Sequence, residues 1–302
     1  FAGAVPAGCA LRIMTGAIVP QGLDTIVIQE VARLDGVDGK TVIVTAAAQI
    51  RPGQNFRRAG EDLQAGQPAL KAGKRLRPAE IGLLASLGQA EISLHRRVRV
   101  ALFSTGDELA AIGHPLQPGE VYDSNRYTLW GMLERLGCEV LDMGTVRDDP
   151  AALEAALLEA AASADAIVTS GGVSVGEADF IRELMARLGE VAFWKIAMKP
   201  GRPMAFGKIR DAWLFGLPGN PVAVMVTFYQ FVRPALLKLM GAEPAPLPSF
   251  RVPSVTALKK APGRTEFLRG RLLQDDGSGE WRVQTTGAQG SGILRSMSEA
   301  NC

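Results

Sequence analysis

Short apolar runs alternate with segments of helical periodicity through the middle of the chain, between residues 98 and 243. Strand and helix alternating at these lengths predict a parallel sheet covered by helices on both faces. The predicted strands are residues 98–103, 140–141, 166–169, 191–194 and 213–217. The predicted helices are residues 124–137 with Ser124 or Asn125 as N-cap, 151–162, a helix starting at Asp179, and 221–240.

The flanks of this α/β segment have a different pattern. Residues 1–64 carry short apolar runs, such as 25–28 and 41–44, between turns rich in Gly, Pro and Asp, which predicts a β-rich domain. Residues 65–97 contain one predicted helix, from Pro78 to Gly88. A proline-rich linker starts near residue 244, and short β runs follow to residue 302, which predicts a C-terminal β domain. The fold class is therefore multidomain α/β, with a parallel three-layer domain flanked by β-rich domains.

Polar or glycine-rich loops follow the predicted strands at residues 104–108, 148–149, 170–179, 199–202 and 218–221. Ligands of open α/β sheets bind beyond the carboxyl ends of the strands, so we expect these loops to converge on one edge. At Ser170, Gly171 and Gly172 a strand breaks into a glycine turn before a helix, an arrangement that favours an anion site. The alternative is an ordinary strand-to-helix loop with two turn glycines.

Composition narrows the function classes. The 33 basic and 31 acidic residues leave a net charge of +2, which is far from the large positive charge typical of proteins that bind nucleic acid or an anionic membrane. No apolar run reaches bilayer length, and no secretory signal opens the chain. Three scattered cysteines imply no disulfide framework and favour a reducing compartment. With only two histidines, any metal should be a hard cation held by carboxylates. Because the chain lacks an initiating Met and stops at Asn301-Cys302, we expect a segment of a longer protein with a truncated last domain.

Six motifs occur in a fixed order along the chain: RIMTGA at 12–17, RRAGED at 57–62, STGDEL at 104–109, SGGVSVGEAD at 170–179, KPGRP at 199–203 and LPGNP at 217–221. With these motifs and the tail at 291–301, the chain resembles the molybdopterin molybdotransferase family, which comprises bacterial MoeA and the gephyrin E domain. The resemblance covers nearly the whole chain. SGGVSVG or STGDEL alone would be less specific, because molybdopterin adenylyltransferases and CinA-like proteins are similar there.

The resemblance implies a molybdopterin-binding domain at 98–243, with residues 65–97 as the remainder of an elongated N-terminal domain. It also implies the reaction: adenylylated molybdopterin and molybdate, with Mg²⁺, give molybdenum cofactor and AMP. Family members are homodimers, and we expect a cytoplasmic enzyme with a possible molybdopterin adenylyltransferase partner. Two alternatives remain, namely a molybdopterin adenylyltransferase and a gephyrin-like dimeric scaffold.

The motifs also suggest site residues. The proposed catalytic residues are Glu108, Asp148, Asp179 and Thr15, and the proposed metal ligands are Asp179, Asp107 and Glu108. The proposed cofactor-binding residues are Ser170, Gly171, Gly172, Ser174, Lys199, Pro200, Gly201, Arg202, Pro218, Gly219, Asn220, Pro221, Arg269 and Ser296. Each carboxylate could instead cap a helix or form a surface ion pair.

Molybdate, a dianion, requires fixed cations and hydrogen-bond donors. Lys199 and Arg202 lie in a proline-rich loop, and Arg264 and Arg269 precede a serine-containing tail. We therefore expect Lys199 to face Arg269 and a tail serine across a cleft that binds molybdate. The alternative is that the two C-terminal arginines pair with surface carboxylates such as Glu266.

Overall fold

The computed structural model describes residues 3–35, 40–171, 179–243 and 246–302. It divides into two compact units, Phe1–Lys71 and Ala72–Cys302. The predicted cofactor-binding residues Gly172 and Ser174 lie outside the described residues.

The first unit is built around one antiparallel hairpin in its described part. Strands β1 (Ala32–Asp35) and β2 (Thr41–Val44) pair from Ala32–Val44 to Asp35–Thr41, and short 3-10 turns lie at Gln29–Val31 and Ala47–Gln49. The prediction of a strand at residues 25–28 is wrong. Ile26 bonds through its N–H to Gln54 O at 2.9 Å, and its carbonyl accepts from Asn55 Nδ2 at 3.1 Å, so a loop satisfies this backbone instead of a ladder.

The second unit carries the α/β fold and a C-terminal segment. Its elements in chain order are α1 (Pro78–Ser86), β3 (Arg99–Thr105), β4 (Leu109–Ala110), β5 (Val121–Tyr122), α2 (Ser124–Leu136), β6 (Glu139–Val146), α3 (Pro150–Ser163), β7 (Ala166–Ser170), α4 (Asp179–Leu188), β8 (Gly189–Lys195), β9 (Met198–Lys199), β10 (Pro203–Ile209), β11 (Ala212–Leu217), α5 (Pro221–Thr227), a π-helical turn (Phe228–Val232), α6 (Arg233–Leu239), β12 (Thr265–Glu266), β13 (Gly270–Gln274), β14 (Trp281–Thr285) and α7 (Arg295–Glu299).

In the described part of the chain, six strands form the main sheet in the order β6-β3-β7-β11-β10-β8. The four strands from β6 to β11 are parallel, as the alternation of strand and helix predicts. The remaining end of the sheet is mixed, because β10 runs antiparallel to both β11 and β8. Strand β10 was not predicted. It forms a hairpin with β11 through Arg210, whose φ of 53° closes the tight turn.

The parallel strands are buried on both faces, which explains their continuous apolar sequences. In β3, Val100 and Leu102 face helix α2 and the α5–α6 helix, whereas Ala101 and Phe103 face α3 and α4. Strand β7 alternates in the same way, with Val168 on the first face. The domain therefore has the three layers expected from the sequence, and its ligand edge lies beyond the strand ends.

The long apolar helix forms as predicted, at Pro221–Leu239. Among the described residues it is the one helix long and apolar enough to cross a membrane by length and composition, with a mean hydropathy of 1.3. Its residues Val222, Phe228, Val232 and Leu236 are almost completely buried in the cores of the second unit. The apolar character of this helix is thus accounted for by packing inside the protein.

The C-terminal segment attaches to the α/β part through β9 and β12, which are parallel. Thr265 N donates to Ala197 O, and Phe267 N donates to Lys199 O, both at 2.8 Å. A small apolar cluster of Met198, Val222 and Val226, against which Phe267 and Met297 pack, lies at the same junction. The loop that carries KPGRP is therefore shared by the sheet domain and the C-terminal segment.

Candidate functional site

The parallel register brings the predicted loops to one edge of the sheet. Ser104 lies opposite Ser170, and Ser170 lies opposite Leu217, so the loops that follow β3, β7 and β11 begin side by side. Thr105 pairs with Val146, which places the start of the Asp148 loop beside them. Of the five loops predicted to converge, these four thus start at the same edge.

The turn after β7 is tightly packed. Gly171 has a φ of +92°, and a Cβ at this position would lie 2.3 Å from the carbonyl oxygen of Thr105. The Gly171 N–H donates to Leu217 O at 3.2 Å and extends the β7–β11 ladder by one bond. Gly171 therefore contributes the shape of the turn, while its own N–H is already used within the protein.

Asn125 joins two of the loops, a role that the sequence did not reveal. Its Nδ2 donates to Ser170 Oγ at 2.8 Å and to Gly219 O at 2.6 Å. Asn125 lies in the first turn of α2, but it is not the N-cap that the sequence suggested. The N-cap is Asp123, whose side chain accepts from Arg126 N.

Asp123 is itself part of a buried polar network. Its carboxylate is 2% exposed and accepts hydrogen bonds from Ser104 Oγ, Thr145 Oγ1 and the Arg126 side chain. Arg126 also bonds Asp142 at 2.6 Å, so the start of α2 is tied to both β3 and β6. The sequence signal for this network is a run of polar residues, Asp-Ser-Asn-Arg at 123–126, immediately after β5.

The predicted carboxylates differ in their surroundings. Asp107 and Glu108 are exposed, and Asp107 Oδ1 accepts from Asp148 N at 3.3 Å. Asp179 begins α4 as predicted. Within the described residues, no group of three or more His, Cys, Asp or Glu is placed to hold a metal ion. Asp107 and Glu108 nevertheless supply oxygen donors of the kind that Mg²⁺ prefers.

A cavity of about 260 Å³ lies between the α/β edge and the C-terminal segment. Its lining residues from the α/β part are Lys199, Pro200, Gly201, Pro203, Pro218, Gly219, Asn220 and Ala223, and those from the C-terminal segment are Glu266, Phe267, Leu268, Gln289, Gly290 and Ser291. The KPGRP and LPGNP motifs therefore meet in one place. Arg202 and Pro221 are also predicted cofactor-binding residues, and each is adjacent in sequence to a residue that lines the cavity.

Lys199 and Glu266 form an ion pair inside this cavity. Lys199 Nζ lies 3.6 Å from Glu266 Oε1, and Lys260 Nζ approaches the same oxygen at 3.9 Å. The Glu266 side chain is only 13% exposed, whereas the Lys199 side chain is 54% exposed. The lysine charge thus remains accessible to a ligand, and the glutamate holds it at the cavity wall.

Arg269 and Ser296, both predicted as cofactor-binding residues, lie together, and neither is a cavity-lining residue. Arg269 is 3% exposed, and its side chain donates to Ser296 Oγ and Gly290 O, each at 2.9 Å. Burial lowers the pKa of Arg269. Among the described residues its Nη1 has no hydrogen-bond partner. Arg269 therefore does not follow the alternative of a surface ion pair with Glu266, and it stands behind the cavity wall formed by Gly290.

Thr15 belongs to the first unit, where it lies in an exposed turn closed by a bond from Ala17 N to Met14 O at 3.0 Å. The RRAGED motif forms a second exposed turn there, in which Glu61 Oε2 accepts from Arg58 N at 3.0 Å.

Comparison with known proteins gives the family. The description "Probable molybdopterin binding domain" matches residues 101–238, "MoeA N-terminal region (domain I and II)" matches 2–88, and "MoeA C-terminal region (domain IV)" matches 251–302. A "molybdopterin biosynthesis moea protein" structure from Pyrococcus horikosii superposes with a TM-score of 0.70 at 31% identity, over 94% of this chain and 68% of that chain. These matches confirm the multidomain α/β fold and define the class as MoeA-type proteins with a molybdopterin-binding domain.

Curated relatives are similar over almost the whole chain. The "Molybdopterin molybdenumtransferase" of Haemophilus influenzae is 46% identical over 98% of this chain and 72% of its own length. The protein of the same name from Nostoc is 38% identical over 97% of this chain and 67% of its own length. The chain belongs to the molybdopterin molybdenumtransferase family. The resemblance inferred from the six motifs is confirmed, and an adenylyltransferase is not favoured.

Proposed function

We propose that this protein inserts molybdenum from molybdate into adenylylated molybdopterin and releases AMP, a step in molybdenum cofactor biosynthesis. Membership of a family of molybdenum transferases supports the reaction class. The observation that carries the assignment is the cavity lined by Lys199, because the exposed ammonium group of this lysine is accessible to an oxyanion.

The molybdate site combines an accessible and a buried cation. An oxyanion that contacts Lys199 replaces part of the interaction that the lysine makes with Glu266, and Lys260 remains beside that glutamate. Arg269 adds a buried positive charge behind the Gly290 wall of the cavity, and its hydrogen bonds to Ser296 and Gly290 orient the guanidinium. Charged donors held in place before the ligand arrives stabilise an anion at little reorganisation cost.

The pterin substrate carries a pyrophosphate, which requires close approach to backbone and small side chains. The strand ends at Ser170 and Leu217 provide this approach, since Gly219 adds no side chain there and a Cβ at this position would meet nothing within 4 Å. We assign this edge to the pyrophosphate, with Pro218 and Pro221 stiffening the loop that carries Asn220.

Asp107, Glu108 and Asp179 would hold Mg²⁺, and Glu108 or Asp148 would orient water or substrate. A bound Mg²⁺ neutralises charge on phosphate oxygens during transfer. The support in the structure is the position of Asp107 and Glu108 directly after β3, at the same edge as Ser170.

A cytoplasmic homodimer that receives its substrate from a molybdopterin adenylyltransferase completes the proposal. The support for the partner is chemical, because an adenylylated substrate must be made by an adenylyl-transferring enzyme, whereas the homodimer and the compartment follow from the family resemblance alone. The catalytic role of Thr15 and a role for the RRAGED turn, both on the first unit, stay predictions from the motifs.

AMP release tests the function. The purified protein is mixed with adenylylated molybdopterin, and AMP is measured with and without molybdate. We expect release to depend on molybdate, and release that is independent of molybdate would overturn the proposal.

Lys199→Ala tests the molybdate site in the same assay. Charge-assisted hydrogen bonds contribute about 1.5–3 kcal/mol, so the molybdate concentration for half-maximal release should rise roughly ten- to a hundredfold. Lys260→Ala is the matched control, because Lys260 contacts the same Glu266 oxygen but is not a lining residue. Equal effects of the two substitutions would contradict direct binding by Lys199.

A further inference from the structure

The proposed transfer reaction assigns no role to Asn125, although this side chain joins two loops of the site. One side-chain nitrogen bridges the end of β7, at Ser170 Oγ, and the loop after β11, at Gly219 O. Both loops belong to the proposed pyrophosphate edge, and the loop after β11 also lines the cavity that contains Lys199. Because the Gly219 carbonyl can only accept, the contact identifies the donating nitrogen of the Asn125 amide.

The helical turn that carries Asn125 is anchored by the polar network at the start of α2. Asp123 accepts from Ser104 Oγ on β3 at 3.0 Å and caps the helix through Arg126 N at 3.1 Å. Buried hydrogen bonds thus anchor the helical turn, and the Asn125 side chain is held by its own bonds to Ser170 and Gly219. A buried network of this kind fixes one arrangement of the groups attached to it.

We propose that Asn125 is a positioning residue that holds the Ser170–Gly171 turn and the Pro218–Asn220 loop at a fixed separation, so that both contact a single substrate molecule. The inference rests on the proposed function, since it assigns the two loops to adenylylated molybdopterin. Asn125 itself performs no chemistry. Its contribution is to keep the pyrophosphate edge in register with the cavity that contains Lys199.

Asn125→Asp is the informative substitution. Aspartate has the same shape and is favoured in the first turn of a helix, so α2 should remain intact. A carboxylate cannot donate to the Gly219 carbonyl and would repel it, so the bridge is lost at about pH 8, where the new group is ionised. Ser124→Ala is the control, because Ser124 is an exposed neighbour in the same helical turn.

Two measurements on the purified protein test the proposal. Asn125→Asp should raise the Kd for adenylylated molybdopterin roughly five- to a hundredfold, while its melting temperature stays close to that of the parent protein and of Ser124→Ala. Amide hydrogen exchange should accelerate around residues 170–171 and 218–220 in Asn125→Asp alone. An unchanged Kd or unchanged exchange in these loops would overturn the inference. If the parent protein does not bind the substrate, the proposed function fails, while the exchange measurement still decides whether Asn125 fixes the loops.

Discussion

At the scale of single residues, the site depends on atoms that approach more closely than most side chains permit. A Cβ at Gly171 would collide with the Thr105 carbonyl, and its φ of +92° is one that side-chain-bearing residues rarely adopt. Gly201, in the KPGRP loop, is similar, since a Cβ there would lie 2.6 Å from Thr227 Cγ2. These positions explain why glycine occurs in both motifs without requiring that glycine contact the ligand.

Gly171→Ala should therefore destabilise the protein. The positive φ alone costs about 1–3 kcal/mol, and the backbone contact at 2.3 Å adds strain that only a shift of β3 or β7 can relieve. Urea unfolding measures the loss of stability. Gly219→Ala is the control, because a Cβ there meets nothing within 4 Å. Equal unfolding midpoints for the two variants would show that the turn accommodates a side chain.

Residue patterns predicted some of these features and not others. The motif glycines were visible because they interrupt an apolar strand, whereas Asn125 was assigned only as a possible cap. Its partner Gly219 lies 94 positions away, and no local pattern reports such a contact. Glu266 was considered as a surface carboxylate, but in the structure it lines the cavity and pairs with Lys199.

At the scale of elements, the strands buried on both faces were the easiest to predict. Strands β3, β7 and β11 are continuous apolar runs, and each was found within two residues of its predicted bounds. Strand β10 was missed because it begins with Pro203 and contains Gly207, two residues that argue against a central strand in sequence. Its position near the end of the sheet, beside a hairpin turn, depends on tertiary contacts that the local sequence does not reveal.

Helix α1 shows how one charged residue stabilises an element. Glu80 accepts from Arg77 N at 2.9 Å in a capping-box contact, and its carboxylate lies 3.2 Å from both Lys74 Nζ and Arg77 Nη2. The hydrogen bond from the Arg77 side chain lowers the pKa of Glu80 from its ordinary 4.5 to about 2. Folding is therefore favoured by the ionised form of Glu80.

Glu80→Gln should reduce stability at neutral pH and remove part of its dependence on acid. A carboxylate with a lowered pKa contributes its stabilisation above the unfolded value, and this contribution is lost as the pH falls through the folded value. For Glu80 the window lies between 4.5 and about 2. Urea midpoints across this range measure the effect, with the exposed Glu91→Gln as control. If Glu80→Gln and the parent protein lose stability in parallel through this window, the ionised Glu80 does not contribute.

At the scale of the whole described second unit, the cavity exists because the C-terminal segment is fixed to the α/β part. The fixing contacts are the β9–β12 pairing, the bond from Val222 N to Ser291 O at 3.0 Å, and the packing of Phe267 against Met198. Lys199 and Arg269 come from segments 70 positions apart in sequence. Composition and motifs could indicate both residues, but only this junction places Lys199 in the cavity lining and Arg269 behind the Gly290 wall.

Phe267→Ala should separate binding from local folding at this junction. A ligand that binds only the folded protein raises the unfolding free energy, by about 2.7 kcal/mol at a concentration one hundred times its Kd. We expect molybdate alone to stabilise the parent protein, and we expect Phe267→Ala to lose most of this increment because the C-terminal wall of the cavity is no longer packed. In the absence of molybdate, Phe267→Ala should lower the unfolding free energy by less than about 3–5 kcal/mol, the range for a fully buried phenylalanine, because Phe267 is only half-buried. Phe250→Ala, at a side chain that is 62% exposed in the same segment, should keep the full increment. Thermal and urea unfolding at matched molybdate concentrations decide the question, and the same increment in both variants would show that molybdate binds away from this junction.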